Sequence, residues 1–130
     1  MGGMLIGVQK ELKVKKVETK EMEGVVEVMI EVGELEWRVI GVYVRGDLER
    51  KLERLRDWVE RKEEGGRVLI EGDFNTRTGE GSGIGGGGGR KGRKSKDKKI
   101  NKEGKELVRW VEEAGWTILN GCTVGDEEGE

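Results

Sequence analysis

The chain has no histidine, no proline, a single cysteine and only 5% aromatic residues. Each shortage closes off a class of function. Without histidine, this chain alone builds no Ser/His or Cys/His catalytic pair and no histidine-bearing zinc site. With Cys122 as the only cysteine there is no intramolecular disulfide, which points to a reducing, intracellular compartment, nucleus or cytoplasm. No apolar run approaches the roughly 20 residues needed to cross a bilayer. The opening "MGGMLIGVQKELKVKK" is too short in its apolar part and too charged for a secretory signal, so no membrane partner is expected.

What the chain has in quantity is charge, at 40%, and glycine, 24 residues in 130. Apolar residues at 33% are lean for a domain of this length, though the length itself allows one real core. The net charge of −2 gives the whole molecule no strong pull toward nucleic acid. One segment differs: Arg90 to Lys99 carries seven cations against one acid. Such a strip can neutralise phosphates and release counterions, or serve only as a solubilising linker.

The apolar pattern predicts a mixed α/β (α+β) fold. Met4 to Val8 reads as a short buried strand, and "KVKKVETKEM" as a strand or a loop edge with weak alternation. "VVEVMIEV" (Val25 to Val32) alternates apolar and acidic residues, which predicts a half-exposed strand. Gly33-Glu34 predicts a tight turn into Leu35 to Val44, whose second half has the run expected of a strand buried on both faces. Asp47 is placed to cap a helix running to about Glu64, with Leu48, Leu52, Leu55 and Val59 on one stripe and Trp58 close by. After Gly65-Gly66, Arg67 to Ile70 predicts a buried strand, parallel to the one before the helix. Thr78 to Lys99 is glycine-rich and then basic, and predicts a flexible loop; its G-x-G-x-x-G spelling, Gly81 to Gly86, lacks the strand and helix a dinucleotide site requires. Asn101 caps a second helix with Leu107, Val108, Val111 and Ala114 inward, Gly115 ends it, and Trp116 to Asn120 predicts a last short strand.

The chemistry-bearing stretch is "RVLIEGDFNTRTGE". Residues two apart in an extended segment point the same way, so Asp73 and Asn75 should share a side while Phe74 anchors opposite. They fall at the carboxyl end of a strand, where ligands collect in open sheets. A parallel crossover would bring Tyr43 to the same edge. A carboxylate, an amide and a phenol together suit phosphoryl chemistry: the acid can hold a metal or take a proton from water, and the others can donate to a phosphate. The same residues equally describe an Asx turn beside a buried tyrosine.

"LIEGDFNTR" preceded by "VIGVYV", with "GGMLIGVQK" before and "INKEGKELVRWVEEAGWTILNG" after, resembles the endonuclease/exonuclease/phosphatase family. The likeness is strongest to the apurinic-endonuclease-like domain of non-long-terminal-repeat retrotransposons, and it spans nearly the whole chain. It implies a two-layer β-sandwich with flanking helices, seen here as one partial domain over 1–130, truncated at both ends, with 78–99 as a loop within it. It implies hydrolysis of DNA phosphodiesters with Mg2+ (or Mn2+), and as a partner the remainder of a larger retrotransposon polyprotein. Carried over by position, Asp73 resembles the aspartate that orients or deprotonates the attacking water. Asn75 resembles the asparagine that holds the phosphate or a metal-bound oxygen, and Tyr43 the tyrosine that touches the phosphate. Asp73 and Asn75 are thus also secondary metal ligands, and Arg77, Arg90, Lys91, Arg93 and Lys94 are candidate phosphate contacts.

Three departures qualify what this implies. Gly41 and Arg45 stand where the family has asparagine and proline around Tyr43. The metal-binding glutamate that should precede the matched region has no equivalent in the expected order, and the Asp-His pair that should follow has no histidine to supply it. The expectation is a fragment that is catalytically incompetent by itself, with apolar sheet surface uncovered and prone to association. A non-catalytic nucleic-acid-binding remnant using residues 90–99, or a decayed reading frame without function, are the alternatives.

Overall fold

The computed structural model describes residues 4–19, 23–60, 66–79 and 96–119. Its elements run β1 (Lys13–Thr19), β2 (Val25–Val32), β3 (Leu35–Tyr43), α1 (Leu48–Glu60), β4 (Arg67–Asp73) and α2 (Lys102–Glu113). The strands form one four-stranded sheet in the order β1-β2-β3-β4. The first two pairings are antiparallel and the last is parallel, so the class is mixed α+β. The second sheet that a sandwich requires is not among the described elements. None of the described helices is long and apolar enough to cross a membrane. The chain divides into two compact units, 1–47 with 53–75 and 48–52 with 76–130.

The β2–β3 hairpin forms where the alternation predicts it. Gly33 (φ 56°) and Glu34 (φ 53°) both take left-handed backbone, the geometry that matches the right-handed twist of the strands in a two-residue turn. That turn fixes the register, pairing Val32 with Leu35 and Glu27 with Ile40. One face then carries Val25, Glu27, Arg38, Ile40 and Val42, all buried. Ile40 is wholly buried; burying such a side chain contributes about 1.5–3 kcal/mol. The expected outward-facing acids are therefore partly wrong, because Glu27 is completely buried and forms a forked ion pair with Arg38.

The weak alternation of "KVKKVET" has a physical explanation. The register of β1 on β2 shifts between Val14 and Lys16, leaving Lys15 as an extra residue. The bulge lets Val14 and Val17, three apart, lie opposite Ile30 and Val28 on one face. That second face is less covered: Val14, Val17, Val32 and Leu35 are all exposed. Gly41 on this face has the tips of Met4 and Ile6 close to where its Cβ would stand, 3.2 Å in each case. The run Met4 to Val8 is nevertheless not a strand, and Leu5 is almost fully exposed. A short apolar run becomes a strand only when a free sheet edge takes it, and residues 4–9 pair with none.

The strand–helix–strand crossover is parallel as expected, with Ile40 beside Ile70 and Tyr43 beside Asp73. β4 extends to Asp73 and is only half-buried at Val68, Leu69 and Ile70, because it lies at the end of the sheet order and not inside it. In α1 the buried residues are Leu48, Leu52, Leu55 and Trp58, with Trp58 taking the place expected of Val59. Asp47 has φ 40°, outside the extended range of the usual N-cap. Residues 61–65, where the helix was expected to continue and stop, lie outside the described residues.

In the second unit, α2 begins as the sequence predicts: the Asn101 side chain accepts from the Gly104 amide at 2.7 Å. It ends in a Schellman motif, with the Gly115 amide donating to Glu112 and the Trp116 amide to Val111. Gly115, at φ 70°, takes the left-handed position that motif requires. Trp116 then packs edge-on against Trp110, ring centres 5.5 Å apart. The buried stripe is Gly104, Leu107, Trp110 and Val111; Val108 is half-buried and Ala114 exposed, so the stripe is rotated from the expected one. Residues 116–119 are not a strand, and Asn120 lies outside the described residues.

Candidate functional site

Gly72 explains how β4 delivers its last residue. A Cβ there would overlap the Val42 carbonyl oxygen of β3, so only glycine permits the close approach of the two strands. The approach holds Asp73 opposite Tyr43, and the Val44 amide donates to the Asp73 carbonyl at 2.8 Å. Parallel neighbours share a face, so Tyr43 and Asp73 stand side by side at the carboxyl edge of the sheet. Both side chains are exposed. The tyrosine is thus not the buried residue of a plain turn.

Asn75 joins them by a route other than strand alternation. Its backbone sits at φ 50°, a left-handed conformation that asparagine tolerates better than most residues. The Asn75 amide donates to Asp73 Oδ1 at 2.8 Å, closing an Asx turn. Its side-chain Nδ2 donates to the Val44 carbonyl at 2.6 Å. The Asx turn of the sequence reading is present, beside an exposed tyrosine and not a buried one, and an acid, an amide and a phenol stand at one exposed edge. Phe74 is half-buried, a weaker anchor than expected.

These hydrogen bonds engage Asp73 Oδ1 and one Nδ2 hydrogen. The remaining oxygens are Asp73 Oδ2 and Asn75 Oδ1, hard donors of the kind magnesium takes. They fit the type of that ion and fall short in number: no group of three or more acidic, cysteine or histidine side chains that could hold a metal occurs among the described residues.

Arg77 belongs to the other unit and is committed locally. Its amide donates to Asn101 Oδ1 at 3.1 Å, its carbonyl accepts from the Asn101 amide, and its Nε lies 3.5 Å from Asp97 Oδ2. Gly104 is glycine for the same seam, since a Cβ would overlap the Arg77 carbonyl oxygen. Thr78 bridges to Ile100 just beyond. Arg90, Lys91, Arg93 and Lys94 lie outside the described residues, as do Gly81 to Gly86. The feature that sequence reasoning missed is the Glu27–Arg38 pair. The signal was there: a two-residue turn sets Arg38 opposite Met29, diagonal to Glu27 on the same face.

No protein-family model matches the chain, and no curated protein matches it.

Proposed function

We propose that this chain is part of a divalent-metal-dependent phosphodiesterase of the retrotransposon endonuclease type, acting on DNA inside the cell and completed by the rest of a larger polyprotein. One observation carries the reading: Tyr43 and Asp73 stand opposite each other at the carboxyl edge of a parallel strand pair, with Asn75 drawn to Asp73 by a left-handed turn. Backbone held in that region at a sheet's ligand-binding edge is a recurrent mark of functional sites. Asp73 would orient or deprotonate the attacking water, while the Asn75 amide and the Tyr43 hydroxyl hold phosphate oxygens. A bound Mg2+ or Mn2+ would supply charge stabilisation at the phosphate.

The chain alone should not cut DNA, because it has no histidine and no carboxylate cluster among its described residues. The test uses Mn2+ as a paramagnetic probe of the amide spectrum. Line broadening should centre on Tyr43, Asp73 and Asn75 and disappear in Asp73→Ala. Broadening spread evenly over the acidic surface would sink the metal reading. A nicking assay on supercoiled DNA with Mg2+ accompanies it, and cleavage abolished by Asp73→Ala would overturn the claim of incompetence while supporting the site. Salt-sensitive DNA binding that survives Asp73→Ala, and is lost when Arg90, Lys91, Arg93 and Lys94 are neutralised, would favour a non-catalytic binding remnant.

A further inference from the structure

The two edges of the sheet are built differently. On β1 the register shift leaves Lys15 as an extra residue, and lysines stand at 13, 15 and 16. A bulge and a row of lysines are devices by which an edge strand refuses a further neighbour. β4 has neither. It pairs with β3 without a register break and, among the described residues, with nothing on its other side. Its one basic residue, Arg67, lies at its start, 5.8 Å from the centre of the Trp37 ring.

That open side has a definite hydrogen-bonding register. The Asp73 carbonyl is turned toward β3, where it accepts from the Val44 amide. Backbone groups of successive strand residues point to opposite sides. Along the unbroken ladder, Leu69 and Glu71 therefore bond toward β3, while Val68 and Ile70 present their amides and carbonyls to the open side. Arg67 and Glu71 are exposed, and the three apolar residues between them are half-buried. The run Arg67 to Glu71 is thus complementary to its own reverse. Laid antiparallel on itself about Leu69, it sets Val68 opposite Ile70 as hydrogen-bonded pairs and Leu69 opposite Leu69. It also sets Arg67 opposite Glu71 twice, in non-hydrogen-bonded pairs, where side chains approach most closely. Centring on Ile70 instead would set Leu69 against the Glu71 carboxylate.

We propose that β4 is a self-association edge: two copies of this chain pair β4 to β4, antiparallel, about a two-fold axis at Leu69, and their sheets join into one. The interface is isologous, so each complementary contact occurs twice. The occupant is a second copy because the charge pattern matches itself, which a strand from an unrelated protein would not require. The idea does not depend on the nuclease reading.

The experiment is sedimentation equilibrium on the whole chain, comparing wild type, Arg67→Glu, Glu71→Arg, an equal mixture of those two, and the double swap Arg67→Glu/Glu71→Arg. Wild type should dimerise reversibly. Each single variant sets like charges opposite each other twice and should dimerise roughly tenfold more weakly or worse. The double swap restores both pairs, and so does the mixture, in which one copy carries two cations and the other two acids. Both should return to the wild-type dissociation constant. Both positions are exposed, and Glu71→Arg leaves the Arg67–Trp37 contact in place, so it reads the interface without disturbing the fold. A wild type that stays monomeric at millimolar concentration would leave the edge to a strand from another protein and overturn the proposal. Dimers indifferent to the single changes, or singles that neither the swap nor the mixture rescues, would overturn it equally.

Discussion

The β2–β3 hairpin carries the same acid–base chemistry in two regions, with opposite physical consequences. In its middle, Glu27 and Arg38 are 0% and 6% exposed and face each other through a two-pronged contact. At its turn end, Lys15 from the β1 bulge pairs with Glu31 at 3.0 Å and with Glu36, and all three side chains are a third to a half exposed. Water and salt screen the outer cluster, and its long side chains lose entropy when held, so it contributes little. The inner pair exists where neither charge has water to turn to. Removing one partner there strands the other. The contrast teaches that position in the register, and not the pairing chemistry, decides what an ion pair does.

The contrast breaks most directly at Arg38. Arg38→Met alone leaves the Glu27 carboxylate buried without its counter-charge and should cost about 3–5 kcal/mol in urea unfolding. A loss below about 1 kcal/mol would put the inner pair in the same class as the outer one. The next effect tests whether the inner rows have slack. Gly72→Ala sets a methyl against the Val42 carbonyl, and such overpacking costs about 1–3 kcal/mol. It should also shift the amide resonances of Tyr43 and Asp73, because β4 must move; a silent spectrum would mean that the strands are not held as closely as the geometry implies.

The smallest effect belongs to the outer cluster. Lys15→Ala at neutral pH should leave the unfolding midpoint close to that of wild type. Its pH dependence sharpens the comparison. The hydrogen bond with Glu36, and then that with Glu31, hold the Lys15 ammonium above its ordinary 10.5, and Lys15 in turn holds Glu31 below its ordinary 4.5. A raised lysine contributes below pH 10.5 and loses that contribution as pH rises through its folded value. A lowered carboxyl contributes above pH 4.5 and loses it as pH falls through its folded value. Whatever separates wild type from Lys15→Ala should therefore be confined to that window. A difference persisting in stronger acid would mean that Lys15 acts through the packing of its stem.

Much of this architecture was legible because it rests on local rules. Alternation gave β2 and β3, two turn residues gave their register, and an asparagine followed by an amphipathic run gave α2. What escaped was what depends on partners distant in sequence. Glu27 reads as a solvent-facing acid until Arg38 is set diagonally across from it. Met4 to Val8 has the composition of a strand, but composition does not supply a neighbour to pair with. The α2 stripe was misread by a rotation because Gly104 does not look like a core residue; it is buried by the approach of the Arg77 carbonyl. At the candidate site, the Asx turn was among the readings the residues allowed, and the left-handed backbone of Asn75 was not. Alternation predicted Asp73 and Asn75 on one side, whereas the left-handed backbone of Asn75 ends the alternation and a side-chain hydrogen bond replaces it.

The seam formed by Arg77, Asn101 and the Thr78–Ile100 bridge makes one side chain answer to two structures. Asn101 Oδ1 accepts from the Gly104 amide inside α2 and from the Arg77 amide beside it, so the helix cap and the seam draw on the same oxygen. Loss of that oxygen should loosen both together, and a helix's first turn is where such loosening begins.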